Sequence, residues 1–496
     1  MMATVRFLLL VLPAWGQLMR RANGPSGGRE KRLQGALREA LRKVPAERVL
    51  FVEESLRPSY EAFPKDARGN LPPHQVLPAL ARAYFAKEHG WLVRGLESPG
   101  APIIAPGDSY EAASAPGEGG DLYQAHVLQA KAPELASALK DAALSPVSSS
   151  QGLSLADVAQ TVAALEQLLL EESLPLLRAS YVLNELDTAG EHVPPALEET
   201  QAHEALQSYL LLFRHGLPRD LEDVARHQAL KQRAQRSSDW PALRGFEAEV
   251  LNKTQRTDGK VTWPQAMEAV MSLARQYGRW QNAECQDMKS TLTKMGADGR
   301  VLLQDFHGSP KYPHFQFTEK EEYLRSAGIL LEEDEQKYVL ISNYLQGPSN
   351  CIASSEYFAV CCLNECEALV NQFEASLRAP AGSAAQVAET AAALGAAAEA
   401  AAELPGLADD SGAVVLHTAT FRQWLHRAFP LECARPTAQE NAAEEAELAE
   451  AREWLEMDEA ARQKWKPLVL HPSECTRLPE WHSAGAEGPP SDMLEV

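Results

Sequence analysis

The sequence has few basic residues, only moderate numbers of glycine and proline, and no long hydrophobic run after its N-terminal segment. Its 496 residues include 47 Lys and Arg against 68 Asp and Glu, a net charge of −21. This balance argues against nucleic-acid binding, which needs a basic face to neutralise phosphate groups. Glycine (30) and proline (32) are too few for a fibrous chain. Beyond the N-terminal segment, no stretch approaches the roughly 18 apolar residues of a membrane-spanning helix.

Familiar catalytic motifs are also missing. The sequence contains no P-loop, no dinucleotide-binding glycine motif and no His-Glu-Xaa-Xaa-His motif. What remains is a globular chain in which 45% of the residues are hydrophobic. At roughly 150 residues per domain, its length predicts about two to four units, each able to bury a core.

The N-terminus has the pattern of a secretory signal peptide. Arg6 supplies a positive charge, residues 7–12 are a short apolar run, and residues 13–16 end in small side chains. We therefore expect a signal peptide over residues 1–16 and a location outside the cell or in an endomembrane lumen. The alternative is that this segment begins an ordinary buried helix.

The cysteines support the same compartment. All seven lie in the second half of the chain, at Cys285, Cys351, Cys361, Cys362, Cys366, Cys433 and Cys475. In an oxidising lumen this clustering predicts a disulfide-stabilised C-terminal unit, whereas in the cytosol the same residues would be buried thiols. Cys361, Cys362 and Cys366 are too close on one predicted helix to bridge one another, so their expected partners are the three cysteines nearest that segment on either side. Cys475 is expected to remain unpaired, and the connectivity stays open.

Helical periodicity dominates the chain and predicts a mainly α protein made of several helical units. Residues 355–377 are expected to form one continuous helix through the cysteine cluster, and the alanine-rich residues 380–405 are helical by propensity. Strands are expected only at 301–303, 338–341 and 414–416.

These patterns divide the chain into six segments. They are a signal peptide (1–16), an N-terminal helical region (28–150) with a mobile loop (97–120), a second helical region (151–245), an EF-hand-like pair (246–335), a cysteine-rich helical unit (336–436) and an acidic tail (437–496). The tail is expected to be a solvated helix face or an extended tail, because residues 440–459 carry nine acids and a single Arg.

One internal repeat suggests the EF-hand-like pair. Residues 257–261 (Thr-Asp-Gly-Lys-Val) recur as residues 297–301 (Ala-Asp-Gly-Arg-Val), and each copy lies between predicted helices. Helix, Asp-Gly loop, hydrophobic residue and helix is the order of an EF-hand, and EF-hands occur in pairs. We therefore expect Val261 and Val301 to pair as a short ladder between the loops.

The ligands of this pair are incomplete. With the two loop glycines at position 6, the acidic candidates for a calcium site are Asp258, Asp298 and Asp305. Arg256 and Lys294 occupy other ligand positions, where they repel a divalent cation. The favoured interpretation is a degenerate scaffold without metal; calcium binding and a chance match of the two loops remain alternatives.

Other residues that could carry chemistry have simpler explanations. Arg214 and His215 resemble part of a histidine phosphatase motif, but Arg, His and Gly also form an ordinary helix stop. His417 and His426 lie among apolar residues at helical spacing, which favours packing over metal binding. Asn252 begins the only N-glycosylation sequon, Asn-Lys-Thr, and is a candidate glycan site in a secreted protein.

Several segments together resemble a family of predicted secreted proteins expanded in dinoflagellate algae. They are Leu56-Arg57-Pro58 with Tyr60 and Phe63-Pro64-Lys65; Tyr84-Phe85 with His89-Gly90-Trp91; Tyr277-Gly278-Arg279-Trp280-Gln281; Glu284-Cys285-Gln286-Asp287-Met288; Phe315-Gln316-Phe317; Ile341-Ser342-Asn343-Tyr344; Pro348-Ser349-Asn350-Cys351; Cys361-Cys362-Leu363-Asn364-Glu365-Cys366-Glu367; and Phe429-Pro430-Leu431-Glu432-Cys433. The similarity covers most of residues 50–435, and the cysteine segment is its most specific part. The resemblance implies structural roles for the six matched cysteines and implies no activity.

Three functions follow as hypotheses. The first is a secreted or lumenal, non-enzymatic structural or binding protein whose partner is a protein or a small molecule. The second is an extracellular hydrolase, which would gather titratable side chains in one cleft; the group to inspect is His74, Glu88, His89, Asp121 and His126. The third is a calcium sensor, with calcium as the one cofactor considered.

Overall fold

The computed structural model describes most of the chain between residues 37 and 462. The described residues are 37–93, 96, 152–171, 173–186, 194–215, 224–254, 256, 258–308, 315–352, 358–458 and 461–462. The predicted signal peptide (1–16), the predicted mobile loop (97–120) and Cys475 lie outside them. Within this part of the chain the protein is mainly helical, as predicted.

Eight helices form the first part of the fold. They are α1 (Ala46–Ala62), α2 (Pro73–His89), α3 (Leu155–Glu171), α4 (Leu174–Leu183), α5 (Glu199–His215), α6 (Val224–Ala234), α7 (Trp240–Lys253) and α8 (Trp263–Met295). Their buried apolar side chains make one continuous core, which also includes Leu37, Trp91, Phe358 and Ala451 from outside these helices. Helix α3 is central to it, because its apolar residues face several neighbouring helices at once. The same core therefore includes residues from both sides of the boundaries predicted near 150 and 245.

Shorter elements make up the rest. They are β1 (Trp91–Val93), β2 (Arg300–Leu302), α9 (Leu303–Phe306), α10 (Glu321–Ser326), β3 (Leu330–Glu333), β4 (Gln336–Leu340), α11 (Ile341–Leu345), β5 (Phe358–Val360), α12 (Glu365–Leu377), β6 (Ala381–Ser383), α13 (Ala384–Ala393), α14 (Ala398–Ala401), β7 (Ala413–Val415), α15 (Ala419–Ala428) and α16 (Ala438–Glu456), with 3₁₀ turns at Pro348–Asn350 and Leu404–Leu407. The strands pair antiparallel as β1–β5, β2–β4–β3 and β6–β7. Two smaller apolar clusters surround Phe373 and Phe306.

Helix α8 is one continuous helix of 33 residues where the sequence suggested two. Its interior glycine, Gly278, is retained because the chain passes close by: a Cβ there would lie 1.8 Å from the carbonyl oxygen of His89. At 1.5 Å per residue α8 is roughly 50 Å long, so the two Asp-Gly loops lie at its opposite ends. Val261 forms a bridge with Leu197, and Val301 pairs with Val339 of β4. The predicted Val261–Val301 ladder is therefore wrong.

The Asp-Gly repeat is explained by turn chemistry. Asp298 and Gly299 both have positive φ, at 52° and 74°, and Ala297 and Arg300 exchange backbone hydrogen bonds across them. Two consecutive positive φ values define a type I′ turn, for which Asp-Gly is a preferred sequence. Asp258 and Gly259 have the same backbone signature, with φ of 52° and 78°.

The cysteine segment is a strand followed by a helix. Residues 358–360 form β5, which pairs with β1, and α12 begins only at Glu365. The predicted continuous helix over 355–377 is therefore wrong for residues 358–364. Phe358 and Val360 favour extended backbone, and Asn364 then starts the helix by accepting a hydrogen bond from the Glu367 amide at 3.1 Å.

Three disulfides connect this segment to the chain on either side. They are Cys285–Cys362, Cys351–Cys361 and Cys366–Cys433. Each of the three clustered cysteines bridges to one of the three outside the cluster, as predicted, although Cys361 and Cys362 precede the helix. The three bonds link α8, the chain before β5, and the segment after α15 to one short stretch.

The acidic segment after residue 437 packs onto the fold. Helix α16 begins with a capping box formed by Thr437 and Glu440. The Trp454 side chain is fully buried, Ala451 joins the main core, and the Arg462 guanidinium lies 4.0 Å from the centre of the Trp454 ring. The side chains of Arg452, Glu453 and Glu456 on the same helix are exposed. The helix therefore has the solvated face that the sequence predicted, and also a face that Ala451 and Trp454 attach to the core.

No helix in the described part of the chain is both long enough and apolar enough to cross a membrane.

Candidate functional site

The three acidic residues proposed for calcium are not brought together. Asp258 lies at the start of α8 and Asp298 beyond its end, while Asp305 is exposed on the short helix α9. Gly299 packs on Pro430, whose carbonyl oxygen would be 2.7 Å from a Cβ at that position. Among the residues that the structure describes, no three His, Cys, Asp or Glu side chains are grouped to hold a metal. Calcium binding at a single loop stays untested.

The titratable residues that were candidates for a hydrolase site are only partly included in the described residues. Asp121, His126 and the side chain of His74 lie outside the described part of the chain. Glu88 accepts a hydrogen bond from Ser55 at 2.9 Å and pairs with Arg279, so it connects α1, α2 and α8. His89 is buried and belongs to a polar network inside the fold.

A buried carboxylate, Glu166, is the centre of that network. Its side chain is 1% exposed. Its Oε1 accepts from Arg275 Nε at 2.8 Å, and its Oε2 accepts from Arg48 Nη2 at 2.8 Å and from the Tyr84 hydroxyl at 3.0 Å. His89 donates through Nδ1 to the Arg275 carbonyl at 3.1 Å, and its Nε2 lies 3.8 Å from Glu166 Oε2. The network joins helices α2, α3 and α8 to the first turn of α1.

This network is built for stability rather than for proton transfer. Burial alone would raise the pKa of Glu166, but the nearby His89 and the positive charges of Arg48 and Arg275 outweigh burial and hold that pKa well below its usual range. An acid that stays ionised near neutral pH is a weak base and cannot donate a proton. Both of its oxygens are already occupied by protein donors.

The remaining histidine and sequon positions have local partners or lie at the surface. His417 stacks on Phe63 with ring centres 4.3 Å apart, and its Nε2 is 3.2 Å from Glu374. His426 donates to the Cys433 carbonyl at 2.8 Å. Both histidines therefore support packing, as the sequence favoured. Asn252 is exposed near the end of α7, so its glycosylation stays a prediction.

Within the part of the chain that the structure describes, a cavity between α4, α5 and α6 is a candidate binding site. It has a volume of about 430 Å³, within the range of small-molecule sites. Its walls come from the end of α4, the first two turns of α5 and the start of α6. The lining residues are Leu183, Asn184, Glu185, Leu186, Thr200, Gln201, Glu204, Val224 and Gln228.

A buried lysine supports the wall of this cavity. The Lys231 side chain is 4% exposed. Its ammonium pairs with the Glu204 carboxylate and lies 3.2 Å from Asn184 Oδ1, 3.3 Å from Ser208 Oγ and 3.4 Å from the Glu204 carbonyl oxygen. Asn184 and Glu204 line the cavity, so one buried cation fixes two lining side chains from two helices. Such fixing reduces the entropy that a ligand must overcome when it binds.

Ser208 and His227 complete the polar floor. Ser208 Oγ accepts from Asn184 Nδ2 at 2.8 Å and lies 2.9 Å from His227 Nε2. A serine beside a histidine resembles a nucleophile with its base, but Ser208 is fully buried inside α5. Burial and the charge of Lys231 lower the pKa of His227 to about 4, which makes it a poor base near neutral pH.

The lowered pKa of His227 predicts a pH dependence of stability. Because the folded pKa lies below the unfolded value of 6.5, the unfolded chain binds a proton first as the pH falls. Stability should therefore decrease between pH 6.5 and 4 by at most about 3 kcal/mol through this residue. Urea unfolding across that pH range should show a flatter profile for His227→Gln than for the wild type. His307→Gln, at an exposed position, is the control, and equal slopes for all three proteins would contradict the assignment.

The sequence carried a weak signal for this site and did not reveal it. His227 and Lys231 are four residues apart on α6, which puts them on the same helix face. In a short polar helix that spacing is typical of solvent exposure, yet both side chains are buried. Their partners come from α4 and α5, which no local pattern connects to α6.

Comparisons of the chain with family models, with curated proteins and with solved structures found no match. The resemblance to the dinoflagellate family therefore stays a prediction.

Proposed function

We propose that this chain is a secreted or lumenal binding protein without catalytic activity of its own, which holds a small ligand in the cavity between α4, α5 and α6. The observation that carries the proposal is the cavity itself, about 430 Å³ in volume, with the side chains of Asn184 and Glu204 in its lining held by the buried Lys231. Cavities of this size with a few oriented polar groups are the usual form of small-molecule sites.

The compartment is supported by the disulfides. Three bonds among six cysteines are typical of proteins that fold in an oxidising environment. With the signal-peptide pattern at residues 1–16, they favour the secretory pathway over the cytosol.

The non-enzymatic part rests on the titratable groups near the cavity and in the core. Glu166 is locked as an anion by its protein donors. Ser208 is out of reach of a ligand, and His227 is too weak a base to activate it near neutral pH. A hydrolase would need at least one poised acid or base in contact with a cleft.

Closing the cavity should abolish ligand binding without unfolding the protein. Gln228 is an exposed lining residue on α6, and Gln228→Trp places a bulky ring in the cavity. Thermal-shift measurements against a panel of small amines, acids, sugars and alcohols should yield stabilising compounds for the wild type and none of these for Gln228→Trp.

Gln232→Trp is the matched control. Gln232 lies one turn further along α6, is exposed, and is absent from the lining. The Gln232→Trp variant should be stabilised by the same compounds as the wild type. If no compound stabilises the wild type, or if Gln228→Trp responds as the wild type does, the cavity is not the binding site.

A further inference from the structure

The charge around the cavity is negative. Glu185 and Glu204 contribute two carboxylates to the lining, and the nine lining residues include no Lys, Arg or His. Glu185 has no hydrogen-bond or ion-pair partner among the residues that the structure describes, whereas Glu204 pairs with Lys231 through Oε2. With Lys231 counted, the described residues of the lining retain about one uncompensated negative charge.

Lys231 offers nothing to an anionic ligand. An ammonium has three hydrogens, and four protein oxygens surround this one: two from Glu204, one from Asn184 and one from Ser208. No N–H remains to bind a carboxylate or phosphate in the cavity. The ammonium of Lys231 therefore holds the lining residues Asn184 and Glu204 in place and does not bind the ligand.

The partial charges at the ends of the three helices around the cavity partly cancel one another. The end of α4, at Leu183 and Asn184, places the negative end of a helix dipole at the cavity, while the first turns of α5 and α6 contribute positive ends. Each end is equivalent to roughly half a charge. The backbone of the Glu198–Gln201 turn is itself capped, because Gln201 Oε1 accepts from the Glu198 amide at 3.0 Å. The full charge of Glu185 is the larger effect.

The lining also has an apolar side. Leu183, Leu186 and Val224 come from α4, the residues that follow it, and α6. An aliphatic group placed against these side chains is stabilised, because its apolar surface is removed from water. A ligand that matches both sides therefore has a charged head and a short hydrocarbon body.

We infer that the cavity selects small organic cations: primary or substituted ammonium compounds with an aliphatic body, whose charged head meets Glu185 and the outer edge of Glu204. This inference rests on the proposed function, since it names the class of ligand for the same cavity.

Three probes with one hydrocarbon body isolate the effect of charge. 1-Hexylamine, 1-hexanol and hexanoate are cationic, neutral and anionic at pH 7. Ligand-observed NMR titration should give 1-hexylamine a Kd on the order of 1 mM, as befits so small a ligand. Hexanoate should bind at least about tenfold more weakly, because it loses the attraction and adds repulsion.

Two substitutions that remove one charge each test the contact. Glu185→Gln should weaken 1-hexylamine binding about two- to fivefold and leave 1-hexanol binding unchanged, as expected for a partly exposed ion pair. Glu249→Gln removes the same charge from an exposed position on α7 outside the lining. It should leave all three affinities unchanged, which excludes a general effect of the protein's net charge.

The outcomes separate the two proposals. If hexanoate or 1-hexanol binds as tightly as 1-hexylamine and Gln228→Trp abolishes this binding, the cavity is a binding site but the inference about cations is wrong. If 1-hexylamine binds Gln228→Trp as well as the wild type, or if Glu249→Gln weakens it as much as Glu185→Gln, binding occurs elsewhere and the inference is overturned. Absence of binding by all three probes also overturns it, and the wider thermal-shift panel then decides the proposed function alone.

Discussion

Reduction of the three disulfides should unfold the C-terminal part of the protein at physiological temperature. The bonds close segments with sequence separations of 77, 10 and 67 residues. Loop-closure entropy assigns them between about 2.5 and 4.5 kcal/mol each, and together on the order of 10 kcal/mol. That sum is comparable with the total stability of a typical domain, so few other contacts could compensate for its loss.

Thermal melts followed by circular dichroism, with and without a reductant, measure this effect. Removing Cys366–Cys433 as a double Ser variant should cost about 1.5 kcal/mol more than removing Cys351–Cys361, because it opens a longer loop. Cys475→Ser is the control and should melt like the wild type. Non-reducing peptide mapping of secreted protein should recover the same three pairs. Six free thiols in that material, or an unchanged melt after confirmed reduction, would contradict both the disulfides and the oxidising compartment.

Glu166→Ala should lower the free energy of unfolding by about 3–5 kcal/mol, the usual cost of removing one partner from a buried ion pair. The substitution leaves the guanidiniums of Arg48 and Arg275 without their carboxylate, since both donate to Glu166 in the native state. Urea unfolding at pH 7 measures the loss. Glu171→Ala, on the same helix, removes a more exposed carboxylate that pairs with Lys43 and should cost less than about 1 kcal/mol.

The pH dependence of the same variant provides a second readout. The folded pKa of Glu166 is held below its ordinary value of 4.5. Its contribution to stability is therefore complete above that pH and disappears as the pH falls through the folded pKa. The difference between wild type and Glu166→Ala should shrink in strong acid. A constant difference, or equal losses for Glu166→Ala and Glu171→Ala, would show that the carboxylate is not the source of the stabilisation.

The sequence predicted well what depends on composition and local pattern. The mainly helical class follows from apolar periodicity, and the strands at Val301, Tyr338 and Val414 follow from β-branched and aromatic runs. The pairing of each clustered cysteine with one outside the cluster follows from the distances that neighbours on one chain segment can span.

The predictions that differ from the structure have local physical causes. The Asp-Gly repeat was interpreted as a degenerate EF-hand-like pair because an EF-hand loop and a type I′ turn both place a glycine at a sharp turn. The start of the cysteine segment was taken as helix because a short apolar run fits either period. The acidic C-terminal helix was predicted to be solvated because it carries many charged residues. Its one tryptophan, Trp454, is nevertheless fully buried.

Neither the Glu166 network nor the Lys231 cluster could be predicted in full, because their residues are far apart in the sequence. Glu166 lies 118 residues from Arg48 and 109 from Arg275, and only the tertiary fold brings them together. A signal did exist: Glu166 interrupts an otherwise apolar face of α3, where a lone acid must find a partner or destabilise the core. Lys231 on α6 gave a fainter signal of the same kind.

We expect the cavity between α4, α5 and α6 to hold a small ligand. A crystal structure of the protein soaked with 1-hexylamine would reveal the ligand in place. Ordered density should appear between Leu183, Val224 and Gln228, with the ligand nitrogen within hydrogen-bonding distance of Glu185 or Glu204. An empty or closed cavity in crystals that bind the amine elsewhere would contradict this expectation.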